Sequence, residues 1–135
     1  QALGGAALPY WATVETAGHV FQIEVEKLGE MLGRLHSRLG VFCVLGNHEC
    51  RMPDKSEIVR AIQSAGLNYI GGTWTMVAHE GQTILLAGNE LPWFPLRAAT
   101  DLFQAQVRDH AVFRILLAHT PDQYEWAKQR GFDLM

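Results

Sequence analysis

Four consecutive residues, Gly46-Asn47-His48-Glu49, place three kinds of polar chemistry behind a glycine. The Asn47 amide offers a neutral oxygen suited to a hard or borderline divalent cation. The His48 ring offers a nitrogen for metal binding or proton transfer. The Glu49 carboxylate can receive the remaining ring N–H of a metal-bound histidine and fix its orientation. Gly46 lets the backbone turn sharply and approach a ligand. Taken alone, the tetrapeptide reads equally well as a turn between a strand and a helix. The apolar run Val41–Leu45 in front of it, and a second run, Val112–Ala118, ending directly in His119, favour a site. In open α/β sheets ligands collect beyond the carboxyl ends of strands. Asn47, His48 and His119 are therefore expected at one sheet edge, close enough to share a cation or a phosphate. His119 by itself would read as an N-terminal helix residue bonded to a carbonyl.

These residues need a frame. Phe21, Val25, Leu28, Leu32, Leu35 and Leu39 recur at steps of four and three, which predicts an amphipathic helix closed by Gly40. Gly29 and Gly33 fall inside it, each costing about 1 kcal/mol relative to Ala, so packing must hold it. Arg34, His36 and Arg38 would suit its C-terminal dipole. Val41–Leu45 reads as a central strand buried on both faces. Asp54-Lys55-Ser56-Glu57 has capping-box spacing and starts a helix through about Ala65, with Ile58, Val59 and Ile62 inward. Trp74–His79 and Thr83–Ala87 flank Glu80-Gly81 as a tight hairpin. Pro92 and Pro95 make Gly88–Leu96 a loop. A helix is expected over Ala98–Arg108. Thr120-Pro121-Asp122 is a helix start, carried on to Arg130 and stopped by Gly131, and Phe132–Met135 begins another strand. Residues 1–18 show no clear period and read as loop or short strand. The order α-β-α-ββ-α-β-α-β describes one α/β domain over residues 1–135, a mixed β-sheet flanked by helices.

Composition narrows the class. With 135 residues and 48% apolar content, including four Trp and six Phe, the chain can bury a core and is not intrinsically disordered. A formal charge of −3 without a run of Lys or Arg gives no evidence for nucleic acid as a partner. No apolar stretch approaches the roughly 20 residues of a membrane span, and no signal peptide is visible. Cys43 and Cys50 read as a buried thiol and a loop thiol, with a pair between them as the alternative. A reduced, cytoplasmic setting is the default. His48-Glu49 and His79-Glu80 each open like a zincin motif, but Met52 and Thr83 stand where its second histidine belongs. Trp93 and Phe94 have two readings, capping a substrate pocket or packing a long loop down.

In sequence the chain resembles the calcineurin-like metallophosphoesterases. That family shows five blocks in order: D-x-H, G-D-x-x-D, G-N-H-D/E, a lone His after a strand, and G-H-x-H. Gly46–Glu49 matches the third block and His119 the fourth. Leu32–Leu35, Leu86–Phe94 and Ile115–Asp122 carry the likeness further, over about residues 28 to 135. The resemblance implies part of an α/β sandwich and divalent metal ions (Mn, Fe, Zn or similar). It implies a phosphoester substrate, hydrolysed as a monoester, diester or pyrophosphate by metal-activated water. Asn47 and His119 would be ligands of one metal, and His48 would contact the phosphoryl group and protonate or stabilise the leaving oxygen.

The departures are equally specific. No D-x-H occurs, and Gly18-His19-Val20-Phe21-Gln22 stands in place of G-D-x-x-D. A histidine cannot bridge two cations as that block's carboxylate does, so at most His19 joins a mononuclear site. The sequence ends at Phe132-Asp133-Leu134-Met135, where G-H-x-H would follow. The chain is thus expected to be an incomplete piece of such an enzyme. The alternative is a metal-poor remnant acting as a binding module or homo-oligomeric assembly unit, with the terminal strand as its adhesive edge.

Overall fold

A computed structural model describes residues 11–16, 19–95 and 112–135. The expected helix over Ala98–Arg108 lies outside them. Trp11–Thr16 (β1) and His19–Glu24 (β2) form an antiparallel hairpin, with Trp11 opposite Glu24 and Thr16 opposite His19. Its β-branched and aromatic content suits a pleated surface. The first helix, α1, is therefore much shorter than its leucine spacing predicts, running only Val25–Leu32. Gly33 caps it, and turns at Arg34 and Leu35 lead away, leaving Leu35 and Leu39 exposed.

Residues 19–24 are taken up by β2, and the two glycines of this stretch answer to a neighbouring helix. A Cβ on Gly29 would lie 3.2 Å from the Ala61 carbonyl oxygen, and one on Gly33 would lie 3.4 Å from the Ala65 Cβ. Both serve the close approach of α1 to the second helix, α2 (Lys55–Ser64), rather than a longer helix. Asp54 caps α2 as expected, accepting the Ser56 N–H at 2.8 Å. Glu57 pairs with Arg60, one turn on. Ile58 and Ile62 point inward with Val25, Leu45, Leu67 and Phe94, forming the first core cluster.

Between the helices, β3 is confined to Phe42–Cys43 and pairs in parallel with β4, Asn68–Tyr69. Both β3 residues are half-buried, so the doubly buried central strand expected over Val41–Leu45 is not what forms; full burial begins at Leu45. The hairpin is as predicted. Trp74–His79 (β5) and Gln82–Asn89 (β6) turn through Glu80 and Gly81, both with positive φ, the signature of a two-residue primed turn. Strand β6 runs two residues further than expected, through Gly88 and Asn89.

Val112–Ala118 (β7) pairs in parallel with β6, and Leu134 bridges in parallel to Ile115 on its other side. Phe132–Met135 makes only that isolated bridge rather than a full strand, and hydrogen bonds of Asp133 and Leu134 with Arg114 and Leu116 tie it to β7. Beyond Thr120 the chain makes a 3₁₀ turn over Pro121–Gln123 before α3, Tyr124–Gln129. The Thr120 hydroxyl makes no cap. The third helix covers the sheet face on which Trp74, Ala87 and Leu116 stand side by side in register. Leu85, fully buried, and a Trp126–Phe132 ring stack complete this second core. A parallel bridge between Gly71 and Gly88 links β4 to β6, joining the two sheet pieces. The class is α/β with mixed strand pairing. Among the described residues no helix is long and apolar enough to cross a membrane.

Candidate functional site

Strands β3, β4, β6 and β7 all run the same way, since each link between them is parallel. Their C-terminal ends therefore open on one edge. Leu45-Gly46-Asn47 emerges beyond β3, Gly71 beyond β4, Glu90 beyond β6 and His119 beyond β7.

The residues expected to meet there do so in part. His119 Nε2 and Asn47 Oδ1 stand 2.8 Å apart across 72 positions of sequence. An amide oxygen can only accept, so the ring donates from Nε2. The imidazole lies against Gly46: a Cβ there would come within 2.5 to 2.7 Å of three ring atoms. Gly46 is needed to make room for His119, whereas the turn of the chain does not demand it, since its φ is not positive. The Gly46 N–H donates to Glu49 Oε2 at 2.7 Å, so the Glu49 carboxylate braces the loop that carries Asn47. His48 follows Asn47 with helical backbone angles, opening the 3₁₀ turn Glu49–Arg51. His19 begins β2 opposite Thr16.

The atoms suit one half of a cation site. Two ligands about 2.1 Å from a metal and at right angles to each other are about 3 Å apart. The Asn47–His119 separation is close to that, with the ring proton at present lying between the two atoms. Two donors fall short of the three protein ligands that a catalytic metal takes. Among the described residues no cluster of three or more His, Cys, Asp or Glu is placed to hold a metal ion. The Thr120 hydroxyl, next to His119, is buried without a hydrogen-bond partner among them.

Reading the sequence alone missed the support of this edge. Glu90, 2% exposed, accepts the Leu45 N–H at 2.6 Å on Oε1 and the Tyr69 hydroxyl at 2.9 Å on Oε2. Asn89, fully buried, donates from Nδ2 to Gln123 Oε1 at 3.1 Å and accepts the Leu91 N–H on Oδ1. The available signal was two polar residues, Asn89 and Glu90, at the close of an apolar strand, at the end where ligands gather.

The remaining candidates settle into place. Phe94 is buried in the first core with Lys55 Nζ 4.1 Å over its ring, so it packs the loop down, while Trp93 stays exposed. Cys43 and Cys50 are both free thiols. Burial, and then the nearby Glu90 charge, raise the pKa of Cys43 above its ordinary value. Cys50 is exposed, and its Sγ reaches the Asn47 carbonyl at 2.9 Å. Comparison with family models, with curated proteins and with solved structures finds no match to this chain.

Proposed function

We propose that Asn47 and His119 are two ligands of a divalent cation in a phosphoester-hydrolysing site of the calcineurin-like metallophosphoesterase kind. The chain would contribute the middle portion of that family's α/β sandwich. The observation carrying this reading is the 2.8 Å approach of the Asn47 amide oxygen to the His119 ring nitrogen. It lies beside the loop of the G-N-H-E motif, at the strand edge where such sites form.

When bound, a divalent cation supplies Lewis-acid polarisation of the phosphoryl group and a more acidic water. The protein's own part is positional. Asn47 presents a neutral oxygen. His119 presents Nε2 once its proton has moved to Nδ1, a tautomer change that metal binding requires. His48, one position beyond Asn47, is assigned to the phosphoryl oxygens and to proton delivery to the leaving oxygen. Glu49 keeps the loop in shape through Gly46.

Mn²⁺ binding, measured by electron paramagnetic resonance, together with bis-p-nitrophenyl phosphate hydrolysis tests this reading. Weak Mn²⁺ binding lost in Asn47→Ala and His119→Ala is expected, with slow hydrolysis lost in His48→Ala. Identical Mn²⁺ titrations for the wild type and His119→Ala would sink it.

A second reading is favoured by the exposed apolar edge, where Leu134 and Met135 flank β7 at 53% and 42% exposure. In it the chain is an inactive module that assembles with copies of itself. Light scattering separates the two: a stable oligomer, disrupted by Leu134→Glu and indifferent to Mn²⁺, supports assembly.

A further inference from the structure

The two loops that carry Asn47 and His119 are both tied to one point, the end of β6. Glu90 reaches toward β3 and β4, where its carboxylate takes the Leu45 N–H and the Tyr69 hydroxyl. Asn89, the residue before it, reaches the opposite way, donating to Gln123 four residues beyond His119. Strand β6 lies between the bridge from β4 and the full pairing with β7, and successive side chains at its end leave toward opposite faces of the sheet, so Asn89 and Glu90 can hold different elements.

The site makes room for this arrangement. A Cβ on Gly71 would overlap the Glu90 carboxylate, so glycine there is a condition of its placement. The Glu90 carbonyl accepts the N–H groups of Trp93 and Phe94 at 2.9 and 3.0 Å, which anchors its backbone. Both side chains are essentially removed from solvent. Buried polar groups with defined partners fix geometry because any displacement leaves a donor unpaired.

We propose that Asn89 and Glu90 are positioning residues for the Asn47–His119 pair, setting the spacing of two loops they do not themselves extend. Glu90 fixes Leu45, two residues before Asn47. Asn89 fixes Gln123 and with it the 3₁₀ turn that follows His119. Neither touches the cation or the substrate. This inference rests on the reading of Asn47 and His119 as cation ligands, but the geometry it asserts exists without metal.

The test uses the 135-residue chain and three measurements. These are the Asn47 side-chain amide resonances without metal, the Mn²⁺ dissociation constant, and the melting temperature. Glu90→Ala and Asn89→Ala are expected to broaden or split the Asn47 amide signals and to weaken Mn²⁺ binding about 10- to 100-fold, as loss of an outer partner does. Glu90→Gln keeps an oxygen for the Leu45 N–H and should restore both properties. Leu116→Ala, a core variant that removes none of these hydrogen-bonding groups, should lower the melting temperature while leaving both unchanged.

Wild-type Asn47 signals and Mn²⁺ affinity in Glu90→Ala would overturn the proposal. So would equal perturbation by Leu116→Ala. If Glu90→Ala fails to fold, Tyr69→Phe removes one of the two donors and must shift the Asn47 signals in the same direction; unchanged signals there overturn it too. If the wild type binds no Mn²⁺, the cation reading fails and the amide signals alone decide the positioning role.

Discussion

The His119 imidazole occupies the space that a side chain at position 46 would fill, its Cε1 2.5 Å from where that Cβ would stand. The ring's hydrogen bond to Asn47 thus depends on a missing methyl group one residue earlier. Gly46→Ala should push the ring off Asn47, with Mn²⁺ affinity falling about 10-fold or more. Overpacking of this sort costs about 1–3 kcal/mol, so the fold should survive. A titration of Mn²⁺ beside a urea melt checks both parts; unchanged affinity would mean that the ring has room to move.

Leu85 should be among the most costly positions to truncate. It is fully buried between β5 and β7, in the cluster with Leu116 and Ala127. Leu85→Ala is expected to lose about 2–5 kcal/mol in urea denaturation, against a near-neutral result for the exposed Leu35→Ala. Comparable losses at both positions would contradict the assignment of Leu35 to the surface.

Asp54 gives the acid side of the stability profile a definite sign. Its hydrogen bonds with the Ser56 hydroxyl and backbone N–H lower its pKa below the ordinary value. A carboxylate depressed by folding contributes stability above its unfolded pKa and loses it as pH falls through the folded one. Asp54→Ala should therefore be less stable than the wild type at neutral pH, and the gap should close in acid. Melting curves across the carboxylate range measure this, and a gap that widened in acid would refute it.

The two thiols should separate kinetically. Cys43 has its pKa raised by burial and by Glu90, whereas Cys50 is exposed. Since the thiolate is the nucleophile, 5,5′-dithiobis(2-nitrobenzoate) at neutral pH should label Cys50 first and Cys43 only slowly. Folding favours the neutral thiol of Cys43, so its stability contribution holds below the unfolded pKa and fades as pH rises through the folded one. Cys43→Ala should flatten that alkaline decline. Equal labelling rates in the native protein would disprove the difference in environment.

What could be read from residue order was whatever local physics decides. Glu80-Gly81 needs positive φ, so the hairpin was legible; the Val112–Ala118 run matches β7 residue for residue. The Asp54 cap sits where a side-chain acceptor was needed. The leucine spacing of residues 21–39 misled, because residues 19–24 pair with β1 as a strand, and Gly29 and Gly33 answer to Ala61 in α2 and to Ala65 at its end, tertiary demands invisible in the local period. At the candidate site, Asn47 and His119 were found because each follows a short apolar run, although β3 and β7 are only partly buried. Glu90 escaped because its partners, Leu45 and Tyr69, lie 45 and 21 positions away, and only parallel pairing brings them near.

Parallel pairing also bears on when the site comes into being. Asn47 and His119 are 72 residues apart, and no local element delivers one to the other. Their meeting requires the β3–β4 pair, the Gly71–Gly88 bridge and the β6–β7 crossover, each of which closes a long loop before it gains contacts. The hairpin of β5 and β6 needs only two turn residues and can form early. The Asn47–His119 contact accordingly depends on every one of these non-local pairings, so a metal ion held there would bind only a chain whose sheet is assembled.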